Sequence, residues 1–485
     1  MTNIILRKLD EACAAHPDKV AFREYGGKSI TYSELRRRAY SIAYAILGLA
    51  PDDDAPVALP VGRSADGICG IFGAIAAGRW YVPVDSELPD DRIASLLDVC
   101  SPFAVIGDLH TDAVKIPTDG LPDAPDGFVP AGRDADAPMF GIFTSGSTGV
   151  PKLVVKSEKA MMSFIGVYAE TFSFTDGEVF GNQIPFYFDA STKDIFTTVY
   201  TGATCVIIPA QAFSFPVNLI GILNECRVTT IVWVPSALTV AARFNVFSAA
   251  TPETVKNVLF VGERMPVKYL NAWMSALPGA RFVNLYGSTE VAGNSCYYVV
   301  DRVFDDGGIL PIGRPFEGTG VYILGDDGNE CTEGEICISG DGLATGYYND
   351  PEKTSTVFRT AELRGKTLRI CRSGDFGRIG PDGNFVCVSR RDSQIKHMGH
   401  RIELGEIEAA AGAVEGVGEC CCFYDEEHEK IVLFFSAASD IGRDIRRVLS
   451  SKLPKYMIPH KYRYAESLPH NRNGKIDRAL LKKSL

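Results

Sequence analysis

Apolar strand-like runs alternate with helical stretches along most of this chain, and that alternation is what most restricts its fold. Glu34 to Ala50 reads as an amphipathic helix. Asp90 to Cys100 reads as another, followed by a strand-like run from Phe103 to Gly107. A helix near Leu219 to Cys226 leads to a strand at Thr230 to Val234. The pattern predicts an α/β protein whose large N-terminal domain is built of layered sheets and helices, with ligands at the strand ends. A length of 485 residues exceeds one ordinary core, so a second domain is expected. The texture changes after residue 365, and Gly380 to Phe385 reads as a hairpin turn. A helix from Glu403, strands at Cys420 to Tyr424 and Ile431 to Phe435, and a helix from Ile441 predict a small C-terminal α+β domain. The expected domains are 1–391 and 392–485, with the boundary near Asp392.

Charge and composition exclude several classes. The formal net charge is −11, whereas nonspecific nucleic-acid binding needs basic surface to neutralise phosphates. The first residues carry charges throughout and hold no apolar leader core. The uncharged run Gly67 to Gly78 is shorter than the roughly 20 residues of a spanning helix, so a buried helix is expected and no membrane insertion. The 13 cysteines form no CxxC pair, which points to free thiols and a reducing, cytoplasmic setting. Cys420, Cys421 and Cys422 are consecutive, so in a strand they alternate between faces, which suits packing better than metal binding.

The sharpest local signal is FTSGSTGVPK, Phe143 to Lys152. Glycines let backbone N–H groups approach an anion closely, and the hydroxyls of Thr144, Ser145, Ser147 and Thr148 can donate to phosphate oxygens. Lys152 adds positive charge. This is not a Walker A loop: the two Gly-Lys-Ser/Thr runs, at Gly27 and Gly365, have Phe22 and Thr360 where the first glycine belongs.

Together with seven further segments, this loop resembles the AMP-forming adenylating enzymes. The likeness is strongest to adenylation domains of nonribosomal peptide synthetases and D-alanine–carrier protein ligases, and the wider family includes acyl-CoA synthetases and luciferases. The segments are ITYSEL at Ile30, AAGRWYVPVD at Ala76, NLYGSTE at Asn284, GEICISGDGLATGYYND at Gly334, RSGD at Arg372, SRRDSQIKHMGHRIELGEIE at Ser389 and NRNGKIDR at Asn471. The resemblance implies activation of a carboxylic acid by ATP with Mg²⁺, releasing pyrophosphate. By resemblance, Thr144, Ser145, Gly146, Ser147, Thr148, Gly149 and Lys152 hold the β- and γ-phosphates. Tyr286 stacks on adenine, Thr289 touches the α-phosphate, and Glu290 helps to bind Mg²⁺. Asp375 accepts from the ribose hydroxyls, and Arg390 lies near ribose and phosphate. Lys475 bridges substrate carboxylate and α-phosphate as the catalytic cation, a role suited to a reaction between two anions. Asp392 is the hinge, and Gly399 lines a thiol tunnel. Ser389 replaces the family's usual glycine, and KHMGH at Lys396 departs from the commoner pattern. His397 and His400 are expected to be polar residues of the hinge face rather than acid–base catalysts.

FYFDAST, Phe186 to Thr192, resembles the substrate-pocket motif of the amino-acid branch. The resemblance implies that Asp189 pairs with an α-ammonium group. It maps the rest of the pocket onto Ala190, Lys193, Trp233, Leu259, Val261, Leu285, Gly293 and Asn294. Lys193 leaves two readings open: an unpaired ammonium selecting an acidic or polar amino acid, or a paired one leaving room for a small substrate such as alanine. The motifs begin early and end close to the last residue, so the expected acceptor is a separate phosphopantetheinylated carrier protein. Lys452, Lys455, Lys461, Arg463, Arg472, Arg478, Lys482 and Lys483 offer basic surface to an acidic carrier. The competing expectations are an acyl- or aryl-CoA synthetase and a nucleotide-binding module without catalysis.

Overall fold

A computed structural model describes residues 3–49, 54–145, 151–305, 308–390, 394–470 and 476–484. They form two compact units. The larger comprises Met1–Ser86, Cys100–Ile142 and Leu153–Arg391. The smaller comprises Asp392–Leu485 together with Glu87–Val99 and Phe143–Lys152.

Three sheets with flanking helices build the larger unit. One has nine strands, and its centre runs parallel through Arg281–Tyr286, Asn257–Val261, Thr230–Trp233, Val179–Asn182, Thr204–Ile207 and Val20–Glu24. The second has seven strands, among them Tyr81–Val84, Pro138–Thr144 and Lys152–Ser157. The third is antiparallel and carries Glu333–Gly340, Lys366–Ile379 and Phe385–Arg390. Strands buried on both faces read as continuous apolar runs, which explains TIVW at Thr230–Trp233 and NVLFV at Asn257–Val261.

The helix Ala65–Ala76 is buried over eleven of its twelve residues, so the uncharged run is core. Its start is fixed by Ser64, whose hydroxyl accepts from the Gly67 N–H at 3.2 Å. Among the described residues, no helix is long and apolar enough to cross a membrane.

The smaller unit carries the sheet Val417–Asp425, Lys430–Ala437 and Lys461–Ala465. Helices Leu404–Gly412 and Gly442–Lys452 pack on it through Ile407, Ile445 and Leu449. Cys422 joins this core, and Cys421 packs on the opposite face with Phe423, Phe434 and Leu481. The strand alternation of the three cysteines is thus as the sequence predicts. Among the described residues, no group of three or more His, Cys, Asp or Glu side chains is arranged to hold a metal ion.

Candidate active site

In the larger unit, the strand Arg281–Tyr286 ends at Tyr286, whose ring is buried. The Tyr286 hydroxyl donates to Asp375 Oδ2 at 2.7 Å. Burial, and then the Asp375 charge, push the Tyr286 phenol pKa well above its ordinary value, so the hydroxyl stays protonated and donating. Asp375 sits in Lys366–Ile379, and its N–H donates to Ser373 Oγ at 3.0 Å. Ser373 in turn donates to the Ile336 carbonyl at 2.7 Å. Arg390 lies opposite Asp375 in strand register, so the two expected ribose residues share one ladder.

Thr289 and Glu290 follow Tyr286 on a loop. Glu290 is buried, and Tyr347 donates to its Oε1 at 2.7 Å. Sequence reasoning missed Tyr347, which becomes recognisable only once the edge strand Gly346–Tyr347 pairs with Lys152–Ser157. A buried carboxylate oriented by a phenol is a suitable oxygen ligand for a hard cation such as Mg²⁺. Ser288 Oγ, Asn294 Oδ1 and Ser295 Oγ on the same loop are buried with no hydrogen-bond partner among the described residues. Such orphaned atoms suit a site whose remaining partners come from a bound molecule.

Ala190, Leu259, Val261 and Leu285 pack in one apolar cluster with Phe164 and Phe186. Gly293 completes that wall with φ +66°, and a Cβ there would meet the Phe164 ring at 2.1 Å. Trp233 is a correction to the expected pocket. Its register partner is Phe260, whereas Val232 lies opposite Leu259. Strand alternation therefore turns Trp233 to the other face, where it packs against Phe213 and Trp273 and its Nε1 donates to the Gly181 carbonyl at 2.7 Å. Val232 takes its place in the apolar cluster.

Asp189 precedes the helix Ser191–Thr201, and Lys193 lies in that helix's first turn. Lys193 is 1% exposed, and burial pulls its ammonium pKa down against the opposing pull of Asp189 and Asp194. Asp194 is equally buried, which pushes its carboxyl pKa up, while a hydrogen bond from Asn182 at 2.9 Å opposes the rise. Asp189 is engaged by a cation that sequence reasoning missed: Lys156, fully buried at the end of Lys152–Ser157, forms an ion pair with it. The sequence signal was a lysine inside the otherwise apolar run LVVK.

The smaller unit carries the described part of the expected phosphate loop. Thr144 Oγ1 donates to the Lys152 carbonyl at 3.4 Å. The Ser145 hydroxyl donates to the Arg401 carbonyl at 3.0 Å and accepts from the Glu403 N–H at 3.0 Å. Gly146, Ser147, Thr148 and Gly149 lie outside the described residues, as do Asp392 and Lys475. Gly399 has φ +80° at the turn between Gln394–His397 and His400–Glu403, a conformation that suits glycine. His397 is not a surface residue: it is 3% exposed, beside Tyr424 at 3.2 Å and His460.

The AMP-binding enzyme family matches residues 9–348, and its C-terminal domain matches residues 406–475. The chain belongs to the AMP-binding enzyme family. Within that family it is 30% identical over 502 residues to a D-alanine–D-alanyl carrier protein ligase of Bacillus mycoides (strain KBAB4), covering 98% of both chains. It is 31% identical to bacitracin synthase 1 of Bacillus licheniformis, covering 97% of this chain but only 9% of that protein. The chain thus spans less than a tenth of that synthase. A solved nonribosomal peptide synthetase protein containing adenylation and PCP domains, bound to a vinylsulfonamide inhibitor, is 25% identical. It superposes with a TM-score of 0.85, covering 99% of this chain and 84% of that one.

Proposed function

We propose that this family member is an AMP-forming ligase that activates an amino acid with ATP and passes it to the phosphopantetheine thiol of a separate carrier protein. The observation that carries the reading is the arrangement of Tyr286, Asp375 and Glu290 in a protein that matches a carrier protein ligase over 98% of both lengths. In the first step a carboxylate oxygen of the amino acid attacks the α-phosphorus of ATP, and the bond to the β-phosphate breaks with loss of pyrophosphate. In the second, the thiol loses its proton, its sulfur attacks the acyl carbon, and AMP leaves.

Mg²⁺ would neutralise phosphate charge in the first step. Glu290, held by Tyr347, is the residue proposed to bind it. Tyr286 offers an aromatic face to adenine while its hydroxyl orients Asp375 toward the ribose. Thr144, Ser145 and Lys152 are proposed to contact the outer phosphates, Thr289 the α-phosphate, and Lys475 the carboxylate and α-phosphate together. Ala190, Val232, Leu259, Val261, Leu285 and Gly293 exclude water from the substrate side chain. Excluding water strengthens each charge interaction within the pocket.

The test follows a labelled amino acid onto two acceptors: a phosphopantetheinylated carrier protein and coenzyme A. Label on the carrier protein is the expected result. Label on coenzyme A alone would make the protein an acyl-CoA synthetase.

A further inference from the structure

Three buried ionisable side chains and the half-buried Asp189 gather around the substrate motif. Lys156 is fully buried, and Lys193 and Asp194 are each 1% exposed. Asp189 keeps 14% of its side chain exposed. The Lys156 ammonium pairs with Asp189 Oδ1, lies 3.4 Å from the Val291 carbonyl and sits 5.7 Å from the centroid of the Phe140 ring. Asp194 accepts from Asn182 through Oδ2, while its Oδ1 has no partner among the described residues. Lys193 feels both carboxylates through space.

When all four groups are ionised, two ammonium groups stand against two carboxylates and these four side chains balance electrically. An amino acid with a neutral side chain upsets the balance. Its own carboxylate is committed to the phosphate chemistry, so its ammonium arrives as a third cation. It must also share Asp189 with Lys156. Buried charge without a counter-charge is strongly unfavourable. A second carboxylate on the substrate restores the balance and offers Lys193 an acceptor.

We propose that Lys156 is a specificity-determining residue which, with Lys193, commits the pocket to an acidic amino acid whose side-chain carboxylate the two ammonium groups hold. This rests on the adenylation reading above. Lys156 acts in two ways. It weakens the hold of Asp189 on the ammonium of a neutral substrate, and it supplies one of the two charges that fix the acidic one.

The experiment measures pyrophosphate release by the full chain with matched pairs that differ in charge but hardly in shape: glutamate with glutamine, and aspartate with asparagine. The wild-type chain is expected to favour an acidic member over its amide. Lys156→Met and Lys193→Met are each expected to reduce that preference by about tenfold or more, the scale set by one charged contact. Structural damage would lower both members of a pair together, so the ratio separates recognition from folding. Lys156→Gln, which keeps a polar head, serves if the methionine variant does not fold, with the same expected fall in the ratio. A wild-type preference for the amides, or equal losses for both members in the variants, overturns the assignment while leaving the adenylation reading intact. Silence of the wild-type chain with every amino acid overturns that reading, and this assignment with it.

Discussion

The Tyr286 hydroxyl donates to Asp375 Oδ2 at 2.7 Å, joining the residue expected to face adenine to the one expected to hold ribose. The two lie 89 positions apart, on Arg281–Tyr286 and Lys366–Ile379. Their contact couples the two halves of the proposed nucleoside site, so loss of the hydroxyl is expected to be felt at the ribose end. Tyr286→Phe keeps the ring and frees Asp375 to rotate. Its expected effect is a rise in KM for ATP of roughly tenfold, the scale of one hydrogen bond to a charged group, with kcat changed much less. Steady-state kinetics with ATP varied would show it. An unchanged KM would mean that Asp375 is oriented without the phenol.

Tyr347 stands in the same relation to Glu290, donating at 2.7 Å. Partners that orient a metal-binding carboxylate commonly matter to metal affinity by about tenfold or more. Tyr347→Phe is therefore expected to raise the Mg²⁺ concentration for half-maximal pyrophosphate release by about tenfold. A titration of Mg²⁺ at saturating ATP measures it, and an unchanged midpoint would contradict the proposed orienting role of Tyr347.

Gly293 has φ +66° and faces the Phe164 ring, which a Cβ would approach to 2.1 Å. Alanine there meets both an unfavourable backbone region and a buried aromatic wall. Gly293→Ala is expected to cost about 1–3 kcal/mol of stability, the usual range for overpacking. Denaturant unfolding reports this directly. Stability equal to the wild type would show that the Phe164 wall yields.

Burial, and secondarily the charge of His460, lower the pKa of His397 from 6.5 to about 4. The folded state thus holds its proton less tightly than the unfolded chain does. The neutral ring's contribution to stability is present above pH 6.5 and is lost as the pH falls through about 4. Melting temperatures of the wild type and His397→Asn across that window are expected to converge as the pH falls. Parallel curves would contradict the shift.

Much of the framework was legible because local signals agreed with the tertiary structure. The charged start and apolar periodicity at Asp90 predict the helix Asp90–Cys100, and the turn residues at Gly380 predict the hairpin that leads into Phe385–Arg390. The helix predicted at Glu34 begins at Tyr32, where the Thr31 hydroxyl accepts from the Glu34 N–H at 3.2 Å. The face of Trp233 was not legible, since every residue of Thr230–Trp233 is buried and no polar alternation marks the sides. Lys156 was not legible as a site residue because its partner Asp189 is 33 positions away on a different element. The burial of His397 likewise depends on Tyr424 and His460, which only the folded smaller unit brings beside it.

The most direct test of the central claim is amino-acid-dependent pyrophosphate release from ATP by the wild-type chain and by Lys475→Ala. The account predicts release that requires an added amino acid and Mg²⁺ and that falls by about a hundredfold or more in the variant, as expected when a charge acting in the transition state is removed. Release independent of any amino acid, or equal rates in the two proteins, would contradict it.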